Sequence, residues 1–140
     1  MSSRVRIDRP FGISLLSIFF FAATGITLVA SLSLLFSNGA LEPIWRLNLR
    51  ARAGLGAIGI WAVLLFFVVG VACLIAALGL WRGKRWGYFV AIVILCINGL
   101  GDLFNALSGT ERRAIVGVPV VILILAYLMT RRVKLFFSST

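Results

Sequence analysis

Four long apolar runs alternate with short charged clusters along the chain. The first extends from Pro10 to about Phe36 and the second from Ala57 to Leu80, neither containing a charge. The third, from Trp86 to about Leu107, holds one acid, Asp102, and the fourth extends from about Glu111 to Thr130. A bilayer core of about 30 Å needs about 20 apolar residues at 1.5 Å each. The pattern therefore predicts spanning helices over residues 10–36, 57–80, 86–107 and 111–130. These runs use most of the 140 residues, which leaves no segment able to bury an aqueous core of its own. The expected fold is all-α: a single membrane domain, residues 1–140, built as an antiparallel bundle of four transmembrane helices with short N- and C-terminal tails.

The punctuation between the runs refines this picture. Pro10 suits the first position of a helix, where its missing N–H costs nothing. "SGTE", Ser108 to Glu111, fits a capping box at the start of the fourth helix. Pro119 should kink that helix or be relieved by a neighbour. In the longest loop, "LEPIWRLNLR" places Leu41, Ile44, Trp45 and Leu49 near one face with Arg46 and Arg50 elsewhere. That suits either a short interfacial helix between the first two spans or an irregular loop pinned by Trp45.

Composition agrees with the pattern, since 61% of residues are hydrophobic and 13% charged, about half the charged share of a soluble domain. The basic N-terminus precedes an apolar run about twice the length of a signal-peptide core, and "TLVAS" is a poor cleavage site. The run is therefore an expected uncleaved first helix. Of the 14 Lys and Arg residues, nine lie on the side of the two termini and the turn between the second and third helices, and five on the other. The positive-inside rule then puts both termini in the cytoplasm, for a multi-pass protein of the inner membrane.

"WRGKRW", Trp81 to Trp86, sits at the inner turn. Indoles prefer the headgroup level and cations the anionic leaflet, so Trp81, Arg82, Lys84, Arg85 and Trp86 are candidate membrane anchors. A turn this short makes the second and third helices antiparallel neighbours.

Net charge of +10 would suggest nucleic acid in a soluble protein, but here the cations flank apolar spans, so the expected surface is lipid. "GLGAIG", Gly54 to Gly59, fits a dinucleotide-binding fingerprint letter for letter. A working fingerprint needs a buried strand before it and an acid about 20 residues later. "LNLRARA" precedes it instead, and no acid lies between Glu42 and Asp102. The glycines are expected to bend the chain into the second helix and bring its start close to a neighbour. No nucleotide and no cofactor is expected. The chain has no histidine, the commonest metal ligand and general base, so no metal or catalytic centre is expected either. Cys73 and Cys96, at similar depth in the second and third helices, are expected to be small buried apolar residues.

One constellation carries candidate chemistry. At 100° per residue Gly87, Ala91, Asn98, Gly101, Asp102 and Asn105 share a face of the third helix, which is expected to look into the bundle because an acid and two amides are costly in lipid. Counting from Trp86, Asn98 lies about 18 Å and Asp102 about 24 Å up a core of about 30 Å. Asn98, Asp102 and Asn105 could line a polar cavity in which Asp102 binds a proton or cation. Alternatively they join helices, with Asp102 paired to Arg112, Arg113 or an arginine of the first outer loop. On the first helix, Ser17, Thr24, Thr27 and Ser31 form a second polar stripe suited to the same role.

"RPFGISLLSI", "GLWRGKRWGY" and "AYLMTRRVKLFF" resemble a family of small bacterial four-helix inner-membrane proteins of unknown function. The resemblance implies the topology and no activity. Three functions stay open: a non-enzymatic accessory or assembly subunit acting through helix contacts, with a homodimer or a larger membrane protein as partner; a small dimeric transporter using Asp102; or a lipid-acting enzyme that gathers Glu42, Asp102 and Glu111.

Overall fold

A computed structural model describes residues 9–36, 43, 46, 49–109 and 114–138. Among the described residues there are six helices and no strand: α1 (Phe11–Leu35), α2 (Leu49–Ile58), α3 (Ile60–Trp81), α4 (Arg85–Leu107), α5 (Ala114–Leu128) and α6 (Arg131–Ser138). Three of them, α1, α3 and α4, are long and apolar enough to cross a membrane. The pair α5 and α6, bent by 56° at the break between them, adds a fourth if it counts as one span. By contact the chain divides into two compact units, Met1–Phe19 with Ile75–Thr140, and Phe20–Leu74.

In the Phe20–Leu74 unit, α1 and α3 meet through small and hydroxyl side chains. Ser31 Oγ donates to the Val63 carbonyl across the helices at 3.1 Å. A Cβ on Gly70 would come within 2.9 Å of Thr27 Oγ1, so glycine is what allows this approach. Thr24, Thr27 and Ser33 return their hydroxyls to carbonyls of their own helix, a local satisfaction common for such side chains. The first-helix stripe thus does less bridging than its pattern suggested.

The glycines of the fingerprint fall in α2 and at its link to α3. Gly54 and Gly56 lie inside α2, while Gly59 takes a left-handed φ of 57° and separates the two helices. The expected bend is present. The expected close approach is not, because among the described residues nothing lies within 4 Å of where a Cβ on Gly54, Gly56 or Gly59 would stand. The predicted interfacial helix over Leu41–Arg50 falls almost wholly outside the described residues, which show helix from Leu49 onward.

In the other unit, α3 turns into α4 through a Schellman cap. Gly83, at φ 67°, donates its N–H to Leu80 O at 3.1 Å, and Lys84 donates to Gly79 O at 2.8 Å. Gly79 and Gly87 then face each other so closely that a Cβ on either would overlap backbone atoms of the other. Farther up, α4 runs antiparallel to α5: Gly99 meets Val121, and the Asp102 carboxylate lies against Gly117.

Two features shape the C-terminal segment. Pro119 lies inside α5, which continues past it to Leu128. The break comes at Met129–Thr130, where both the N–H and the hydroxyl of Thr130 turn back to Tyr127 O, at 3.1 and 2.7 Å. Such a tightened i to i−3 turn ends the α ladder. Beyond Thr130, Arg131–Ser138 is an amphipathic helix with Val133 and Phe137 buried. Tyr88 ties the junction together by donating its hydroxyl to Leu128 O at 3.1 Å, one of the carbonyls left without a helical partner at the end of α5. Tyr88→Phe should cost about 1 kcal/mol and speed tryptic cleavage at Arg131 and Arg132 in detergent; an unchanged cleavage rate would show that this hydroxyl does not hold the junction.

Candidate functional site

The inner turn is built from its cap outward. With Gly83 in the left-handed region, Trp81 and Trp86 emerge on either side of the turn, each about half exposed (51% and 47%). Arg82, Lys84 and Arg85 are exposed. The ring of Trp86 lies against Gly79, which fixes one indole beside the helix crossing.

Arg9 completes this end, and the sequence pattern did not single it out. Its Nη2 donates to Leu80 O at 3.3 Å and to Ser17 Oγ at 3.5 Å. Its guanidinium carbon lies 4.7 Å from the centroid of the Trp81 ring, within cation–π range. A cation at the last turn of α3 also complements the helix dipole. The buried Nε has no hydrogen-bond partner, and burial lowers the guanidinium pKa from its ordinary value. Only the shared side of the membrane linked Arg9 to Trp81 in the sequence; nothing in the spacing marks the contact.

The polar residues of α4 are not gathered on a covered face. Gly87 and Ala91 are buried, Asp102 and Asn105 are half-buried, and Asn98 and Gly101 are exposed. The expectation that the whole stripe looks inward does not hold at Asn98 and Gly101. The contact with α5 passes through Gly99 and Asp102; at 100° per residue Asn98 lies about 100° from Gly99 and about 40° from Asp102, and Gly101 lies about 160° and about 100° from them. Among the described residues nothing comes within 4 Å of where a Cβ on Gly101 would stand.

Asp102 makes no ion pair or hydrogen bond among the described residues. Its expected partners Arg112 and Arg113, and the acids Glu42 and Glu111 that a lipid-acting site would require, lie outside them. So does all but the first part of the proposed capping box, where Ser108 Oγ donates backward to Asn105 O at 3.3 Å.

The two cysteines are both free. Cys73 is buried as expected, but Cys96 is exposed.

No protein family, no curated protein and no solved structure matches the chain.

Proposed function

We propose that this chain is a four-span protein of the bacterial inner membrane with both termini in the cytoplasm, acting without catalysis as an accessory or assembly subunit. α5 serves as the fourth span, with α6 bent away from it at the inner leaflet. The nine-to-five bias of basic residues and the tryptophans flanking the inner turn support the orientation. The likeness to small four-helix inner-membrane proteins supports the location. Tags at both termini should resist protease added to spheroplasts and become sensitive on permeabilisation; a tag cleaved from outside would overturn the orientation.

The observation that carries the subunit reading is Asn98. Its amide lies on an exposed face of α4, about 20 Å along the helix from Arg85, and so deep in a core of about 30 Å. An amide left without a partner in hydrocarbon costs on the order of 2–7 kcal/mol. Beside it, Gly101 offers a surface with no side chain. A polar group next to a small residue is how helices associate in lipid, and among the described residues no hydrogen bond reaches Asn98 and nothing lies within 4 Å of a Cβ on Gly101. Only 11% of the most apolar window of α4 is buried, so there is room for a second helix. Extraction at native expression level in mild detergent, followed by mass determination of the intact complex, should show a stoichiometric partner. A lone chain would sink the reading.

A second reading is a dimeric transporter, in which two such faces enclose a polar cavity holding Asp102. The half-buried carboxylate of Asp102, against Gly117 and with no donor among the described residues, favours it. Abolition of proton-coupled flux in Asp102→Asn would be its signature.

A further inference from the structure

We propose that the groove between α4 and α6 is a binding site for one anionic phospholipid, with Arg85 and Lys134 holding the phosphate and an acyl chain lying over Phe89 and Ile92. The groove encloses about 440 Å³, well within the range of ligand pockets. Its two cations come from different elements, Arg85 from the first turn of α4 and Lys134 from α6. Both side chains are exposed, and neither has an anionic partner among the described residues. The nearest acid along α4 is Asp102, about 26 Å away along the helix.

Below the cations the lining changes to Phe89, Ile92, Met129 and Leu135. Ile92 lies two turns beyond Arg85, about 10 Å along the helix. The groove therefore runs from a cationic rim to an apolar floor over the distance that separates a lipid phosphate from the upper part of its chains. That sequence of chemistries matches an amphiphile with an anionic head; a soluble phosphate would leave the floor empty.

The groove is preformed. Val133 and Phe137 anchor α6 in the protein, with the Phe137 ring 5.1 Å from that of Tyr88. The Tyr88 hydroxyl, through its bond to Leu128 O, holds the bend that sets α6 beneath α4. The site rests on the membrane-embedded reading above, in which this end lies at the inner leaflet.

Each basic side chain near an anionic surface contributes about 1 kcal/mol, a factor of about five, so two give roughly a 30-fold preference over a zwitterionic lipid. The test is native mass spectrometry of the full chain in neutral detergent, with phosphatidylglycerol and phosphatidylcholine supplied equally. The expected result is one retained phosphatidylglycerol per chain. The preference should fall to near parity in the Arg85→Gln, Lys134→Gln double variant and persist in Arg82→Gln, Arg131→Gln, whose cations do not line the groove. Ile92→Trp, which fills the floor while keeping both charges, should also release the lipid. Glycerol 3-phosphate at equal concentration should not compete.

A preference that survives the first double variant, or falls equally in the second, would overturn the site in favour of diffuse surface charge. Competition by glycerol 3-phosphate would overturn the acyl-chain half and leave a phosphate site. Because binding is read in micelles, failure here is separate from failure of the topology, which the terminal tags report.

Discussion

Gly87→Ala lowers the stability of the detergent-solubilised protein by about 2 kcal/mol, which shifts thermal unfolding by several degrees. The added methyl group would overlap Gly79 Cα and carbonyl carbon and the Leu80 nitrogen. All three are backbone atoms, so no side chain can rotate away and the two helices must separate. Overpacking typically costs about 1–3 kcal/mol, occasionally more, and a rigid obstacle puts this site at the upper end. Helix propensity returns about 1 kcal/mol for replacing glycine by alanine. The steric term wins. The same reasoning reverses the sign at Gly25, where a Cβ meets nothing within 4 Å among the described residues. Gly25→Ala should be neutral or stabilising by up to about 1 kcal/mol. Unfolding scans of both variants decide the matter: equal behaviour would mean that the Gly79–Gly87 contact does not hold the hairpin.

Asn98→Leu should leave the isolated chain as stable as before, or slightly more so, while weakening its complex roughly 3- to 30-fold. Leucine suits an exposed position in lipid, so nothing in the single chain is lost. What disappears is one hydrogen bond between helices, worth about 0.6–2 kcal/mol in a membrane, and 1.4 kcal/mol is a factor of ten in affinity. The prediction separates the interface from the fold because Gly87→Ala should show the opposite pattern, with lower stability first and any loss of partner following from it. Measuring the unfolding temperature and the fraction in complex on the same preparations distinguishes them. A complex unaffected by Asn98→Leu would remove Asn98 from the interface.

Much of the architecture was legible in the chain because length and hydropathy alone define a spanning helix. The expected spans 10–36 and 86–107 correspond to Phe11–Leu35 and Arg85–Leu107, with the turn at Trp81–Trp86 marked by glycine and charge. The missed elements have physical reasons. In "RRVKLFF" the apolar positions Val133, Phe136 and Phe137 have helical spacing, but three cations among them resemble a solvated tail. Which helix face meets which neighbour is harder still. Periodicity groups Asn98, Asp102 and Asn105 on one side, yet does not tell that Asp102 lies against α5 while Asn98 stays exposed. In a soluble protein an amide on such a face would simply meet water. In lipid an amide with no partner is costly, which is the ground for the proposed subunit contact.

The most direct test is photo-crosslinking in native membranes from Ile97, which adjoins Asn98, is 64% exposed and can be replaced without removing the amide. A photoreactive side chain at this position should give a protein adduct of one discrete mass, either twice that of the chain or that of a larger subunit. Adducts with lipid alone would contradict the proposal that a second protein covers this face of α4.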